Sequence, residues 1–184
     1  MINVNRFRKV QTVISIILFI VVFFLFWDVT KFNLDSIQLS YWGVQEKIGW
    51  IWNLVLALLS ISIFINLFYY VKHHPRLYFK GFIQIVFLFV SLCLFITGVV
   101  DMSHEIHTTM AYLYFFSYPL AIFLLSHLNR KHLQYKEWLT HVIFSIVMVV
   151  SPLLVIKLFD GMAISESIHA IVVICWNIWI LFDD

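Results

Sequence analysis

Six apolar runs, each close to the length of a membrane-crossing helix, govern what this chain can fold into. They cover roughly Val10–Trp27, Ile48–Tyr70, Gly81–Val100, Ile106–Ser126, Trp138–Ile156 and Ile164–Phe182. A helix needs about 20 such residues to cross the hydrocarbon core of a bilayer. None of the runs alternates apolar and polar residues as the strands of a membrane barrel do, and each is about twice a barrel strand's length. The helix is then the way to satisfy the backbone in lipid. The expectation is an all-α integral membrane protein, a single six-transmembrane-helix bundle over residues 1–184. Composition agrees: of 184 residues, 62% are hydrophobic and only 12% charged. A soluble fold of this size cannot bury that much apolar surface. A soluble enzyme, a disordered chain and a nucleic-acid-binding domain are excluded, so nucleic acid is not an expected partner.

The charges set an orientation. With the N-terminus inside, the inner segments carry Arg6, Arg8, Lys9, Lys72, Arg76, Lys80, Arg130, Lys131 and Lys136, whereas the outer ones carry Lys31, Lys47 and Lys157. That bias places both termini in the cytoplasm. Acids run the opposite way, with Asp28, Asp35, Glu46, Asp101, Glu105, Asp160 and Glu166 outside. A multi-pass protein of a cell membrane, most simply a bacterial inner membrane, is expected. The first run follows Arg6, Arg8 and Lys9 as a signal peptide would, but no Ala-x-Ala-like site follows it, so it reads as an uncleaved helix. Cys93 and Cys175 sit in apolar runs and read as buried, inert thiols. The one long connection, residues 28–47, retains Phe32, Leu34, Ile37, Leu39, Tyr41 and Trp42. It reads most simply as a cap over the helix ends, or else as a segment lying in the outer interface with Tyr41 and Trp42 as anchors.

Polar residues inside the apolar runs need a reason to be there. The segment Asp101-Met-Ser-His-Glu-Ile-His107 joins the third and fourth spans and places Asp101, His104, Glu105 and His107 within two helical turns. Two imidazoles and two carboxylates could ligate a divalent metal or exchange protons. The simpler reading is a turn with helix-capping acids, Asp101 or Ser103 at the N-cap and Glu105 in the first turn. His169 and Glu166 lie at a similar level in the sixth span, and ionisable groups within a membrane usually face the bundle interior. The candidate site is therefore an outer cluster of Asp101, His104, Glu105, His107, Glu166 and His169, with Asp28 within reach. Asn53 and Asn177 lie deeper and suit interhelical hydrogen bonds. The basic and histidine-rich inner loops suit topology and contact with anionic headgroups, and His141 suits a satisfied polar site. His107 with His169, or His141 with His127 or His132, are the pairs that would hold a haem, although no spacing calls for one. Pro152 should kink the fifth span and leave a carbonyl in need of a partner.

Three segments carry a family resemblance. They are Leu34-Asp-Ser-Ile-Gln-Leu-Ser-Tyr-Trp-Gly43 before Ile48-Gly-Trp-Ile-Trp-Asn53, His104-Glu-Ile-His-Thr-Thr-Met-Ala111, and Ile168-His-Ala-Ile through Trp176-Asn-Ile-Trp179. This order resembles the bacterial multi-helix membrane proteins grouped as domain of unknown function nine-nine-eight, similar in layout to Frag/DRAM/Sfk-type membrane proteins. Ser40 with Gly43 matches the family's Ser-x-x-Gly element, and His107 with Ala111 its His-to-Ala element. The acidic, Pro-rich loop before that His is replaced here by Asp101-Met-Ser-His-Glu. The resemblance implies a membrane bundle and no particular chemistry.

Small size and short loops favour a six-helix module that binds a membrane lipid or serves as a partner subunit of a membrane assembly. The alternative is a small membrane enzyme acting on a lipid-like substrate at the outer His/carboxylate site, with Ser103 as a lesser nucleophile. A haem-binding electron-transfer subunit is a further alternative. The paired broken helices of inverted-repeat transporters are missing.

Overall fold

The structure, a computed structural model, describes residues 4–30, 39–45, 49–100, 103–158 and 162–182. It contains α1 (Val4–Thr30), a 3-10 helix η1 (Leu39–Val44), α2 (Gly49–His73), α3 (Lys80–Val99), α4 (Glu105–Leu128), α5 (Tyr135–Leu158) and α6 (Met162–Phe182). Six helices are long and apolar enough to cross a membrane, and no strand occurs among the described residues. The fold is that of a helical, multi-pass membrane protein.

Successive helices pack side by side, and α6 returns to touch η1, α2 and α1. Both faces of most helices are apolar, as lipid requires. Ile85, Phe116 and Leu154 are exposed, whereas Leu67, Phe87 and Ile122 are fully buried. Lipid tails are as apolar as leucine, so close packing and interhelical hydrogen bonds must hold the bundle. Each seam shows one or both. Ser60 donates to the Ser91 carbonyl at 2.6 Å between α2 and α3. Gly98 of α3 lies so close to α2 that a Cβ there would meet the Ala57 nitrogen at 3.0 Å. Ser145 of α5 donates to the Pro119 carbonyl of α4 at 2.9 Å. Between α2 and α6, Asn66 donates to Asn177 Oδ1 at 3.1 Å, and Asn177 donates to the Tyr118 hydroxyl of α4 at 2.7 Å.

Three expectations are corrected here. Trp42 is no interfacial anchor: it is fully buried. Its ring lies edge-on to Trp52 at 4.8 Å and against Phe23 and Phe26. Aromatic side chains from α1 and α2 offer it more contact than a headgroup layer would. Asn53 does not bridge two spanning helices; it donates to the Gly43 carbonyl at 3.3 Å and so fastens η1 to α2. Cys175 is exposed, while Cys93 is buried. Residues 31–38, in the long connection, lie outside the described residues, as does the side chain of Tyr41.

At the end of the bundle opposite η1, Arg76 pairs with Glu137 at 2.9 Å, and the Asn129 side chain accepts the Tyr78 backbone N–H. His141 is fully engaged. Its Nδ1 accepts the Trp176 indole N–H at 3.1 Å, which puts the ring proton on Nε2, 3.3 Å from the Tyr70 hydroxyl.

Candidate functional site

Pro152 sits inside α5 and has no N–H to give to Met148, four residues earlier. His169 of α6 supplies the missing donor, with Nδ1 3.4 Å from the Met148 carbonyl oxygen. One turn away, the Ser165 hydroxyl lies 3.4 Å from the Pro152 carbonyl. Together they close α6 onto the broken stretch of α5 and fix the imidazole by its Nδ1 edge. The ring is 1% exposed, and its Nε2 atom has no partner among the described residues.

Glu166 precedes His169 by three residues and shares its face of α6. One carboxylate oxygen accepts the Leu39 backbone N–H at 2.6 Å. Leu39 is the first residue of η1, so the carboxylate sits where a short helix presents unpaired N–H groups. It ties η1 down over the ends of α2 and α6.

Two cavities meet at this pair. The first, of about 90 Å³, lies between α1, α2, α3, α4 and α6 beneath Leu39 and includes Trp52, Thr97, Tyr114 and Phe115 in its wall. The second, also about 90 Å³, lies between α4, α5 and α6 and is bounded by Tyr112, Phe116, Val149 and Leu153. Those four side chains are exposed on the lipid-facing surface, so the second cavity opens sideways between the helices. Phe115, Glu166 and His169 belong to both walls. The Phe115 ring meets the His169 ring edge-on at 4.7 Å, and Tyr114 meets it at 5.6 Å. Among the described residues, no Lys or Arg lines either cavity.

The remaining members of the expected cluster lie elsewhere. His107 is buried, but its Nδ1 is 2.9 Å from the carbonyl of Val100, which caps α3, and it lines neither cavity. A chain turning sharply between two helices leaves such a terminal carbonyl in need of a donor. His104 takes the N-cap position of α4 without a side-chain capping bond, and His104 and Glu105 are exposed. The N-cap is thus neither Ser103 nor Asp101. Asp28 is exposed at the end of α1, and Asp101 lies outside the described residues. Among the described residues, no three His, Cys, Asp or Glu side chains are grouped as a metal site would need. The expected single cluster is therefore split, and Glu166 with His169 form its enclosed part. Of the histidines considered for haem, His141 has both nitrogens in hydrogen bonds, His127 stacks on Phe123, and His132 packs on Tyr78.

Several residues of the site and its supports had escaped the sequence reading. Leu39, Tyr114 and Phe115 carried no signal that separates them from ordinary packing residues. Asn66 did carry one, as an amide in an apolar run, and it is the partner of Asn177. No protein-family model, no curated protein and no solved structure matches this chain.

Proposed function

We propose that this protein is a small membrane module that binds a lipid-like molecule between its helices, at the level of Glu166 and His169. The observation that carries the reading is the meeting of two apolar cavities at two polar side chains, one cavity opening toward lipid. Binding sites for small amphiphiles are mostly apolar, with a few placed polar groups. Each cavity has about the volume of three waters. A whole chain must therefore lie across both or spread the seam between α4, α5 and α6. Two prolines lie inside helices bordering that seam, Pro119 in α4 and Pro152 in α5, and they weaken the helices' resistance to such spreading.

We place both termini in the cytoplasm of a cell with this protein in its inner membrane, on the nine-to-three basic bias of the connections. The η1 end then faces outward, and the site lies in the outer leaflet. Lys131→Cys and Ser103→Cys, each in a chain whose own cysteines are replaced by serine, test this. Labelling of Ser103→Cys from the cytoplasmic side alone overturns the orientation. The resemblance to the domain-of-unknown-function family belongs to the same proposal and lends it no chemistry. Of its four positions, Gly43 receives Asn53 and His107 caps α3, which are structural junctions.

One observation favours a second reading. A buried imidazole nitrogen without a protein partner, on the same helical face as a carboxylate, is what a general base needs. The cavity would then serve a small enzyme acting on a lipid-like substrate. Native mass spectrometry of the protein released from nanodiscs tests the shared premise. Wild type should retain a lipid-mass adduct that Ala170→Phe, which fills the first cavity, does not. Equal retention by both overturns the reading.

A further inference from the structure

The hydrogen-bonding state of the two polar groups selects a head group. A carbonyl oxygen only accepts, so His169 Nδ1, held against the Met148 carbonyl, must carry a proton. In the neutral imidazole the other nitrogen then holds a lone pair, and that atom is buried with no partner among the described residues. The tautomer is imposed from outside the cavity: Pro152 leaves Met148 without its helical donor, and His169 answers it. Glu166 already receives the Leu39 N–H through one oxygen. The hydroxyl of Thr97 on the same wall is given to the Cys93 carbonyl at 2.9 Å. Of the two polar groups common to both cavities, His169 thus asks for a donor. An anionic head would meet the Glu166 side chain and, among the described residues, no Lys or Arg in either wall. A negative charge left unpaired in such surroundings is costly. Trp52, whose indole N–H is buried without a partner among the described residues, also lines the first cavity. A hydroxyl can donate to an imidazole lone pair and brings no charge to be left unpaired.

Granted that the cavities hold a lipid-like molecule, we infer that its head in this site is a neutral hydroxyl, donated to His169 Nε2, and not a phosphate or a carboxylate. Long-chain alcohols and monoacylglycerols belong to this class. The wild-type protein in nanodiscs is cross-linked with a diazirine-bearing hexadecanol, with hexadecanol, hexadecanoate, hexadecyl phosphate or hexadecylamine as competitor. Label should fall on peptides of α4, α5 and α6. Hexadecanol should compete at about tenfold lower mole fraction than either anion, the scale of one buried hydrogen bond. His169→Phe should abolish that preference while labelling through the chain persists. Loss of the ring donor also strands the Met148 carbonyl. The same measurement on Pro152→Ala combined with His169→Phe keeps the result readable, because the alanine backbone supplies an N–H to Met148. Equal or stronger competition by an anion, or tighter competition by the amine, overturns the head-group inference and leaves the lipid reading standing. Labelling that no competitor reduces overturns the lipid reading itself.

Discussion

His169 occupies the hydrogen-bonding position that Pro152 vacates: its Nδ1 atom lies 3.4 Å from the Met148 carbonyl, the one acceptor in α5 that proline deprives of a helical N–H. A kink in one helix and a buried histidine in another are thus one feature. This makes the two residues energetically dependent. His169→Leu should destabilise the bundle, and the loss should be smaller by about 1 kcal/mol when Pro152 is already alanine, because the backbone then satisfies Met148 itself. Unfolding of the four proteins in mixed micelles gives the coupling. Equal losses in both backgrounds would mean the contact is passive.

The amide pair at the centre of the bundle makes a second prediction. Asn177 donates to Tyr118 and to the Val173 carbonyl and receives Asn66, so it links α2, α4 and α6. Interhelical hydrogen bonds in membranes average about 0.6 kcal/mol, with a maximum near 1.7. Tyr118→Phe removes one acceptor and should cost about the average. Asn177→Leu removes several partners at once and should approach the upper figure. A Tyr118→Phe loss larger than that of Asn177→Leu would show that the hydroxyl, and not the amide, organises this layer.

How much of this was legible in the sequence follows from what kind of signal each feature leaves. Six spans are visible because a bilayer demands long uninterrupted apolar runs, and the helices follow those runs. The inward burial of His107 and His169 was visible for the same reason, since an imidazole in lipid is costly. What could not be read was which polar groups converge. His104, Glu105 and His107 are neighbours in sequence, yet only His107 turns inward; its Nδ1 meets the Val100 carbonyl, and its Nε2, though buried without a partner among the described residues, belongs to a side chain that lines neither cavity. Trp42 looked like an anchor because tryptophan favours interfaces. It is buried because η1 folds back onto α1 and α2, a tertiary fact with no local signature. The need for a partner at the Pro152 kink could be foreseen; that His169 fills it could not, because the pairing depends on the register between α5 and α6.

Helix spacing gives a third prediction. The α2–α3 seam depends on Gly98, where a Cβ would meet the Ala57 nitrogen at 3.0 Å, Leu56 Cβ at 3.0 Å and the Asn53 carbonyl oxygen at 3.2 Å. Two of these are backbone atoms, so the helices must move apart to admit a side chain. Gly98→Val should cost about 2 kcal/mol, in the range for overpacked sites. At Gly81 a Cβ meets nothing within 4 Å. Gly81→Ala should be neutral or stabilising by up to about 1 kcal/mol, through helix propensity. Thermal unfolding of both proteins in micelles checks the contrast, and similar losses would contradict it.

Glu166 has two jobs that substitutions can separate. One oxygen holds the Leu39 N–H, while the side chain also forms part of both cavity walls. As a cap it needs only an oxygen that accepts, which glutamine supplies and leucine does not. Glu166→Gln should therefore keep amide hydrogen exchange of residues 39–45 near wild type and leave the buried Trp42 shielded from aqueous quenchers. Glu166→Leu should speed that exchange about tenfold, the effect of losing one hydrogen bond of roughly 1.4 kcal/mol. If η1 is the roof of the lipid cavity, faster opening of residues 39–45 should be matched by faster release of the bound chain from Glu166→Leu. If Glu166→Leu loosens η1 and leaves release unchanged, the ligand leaves by the seam between α4, α5 and α6. The capping role of Glu166 would then be unconnected with its place in the site.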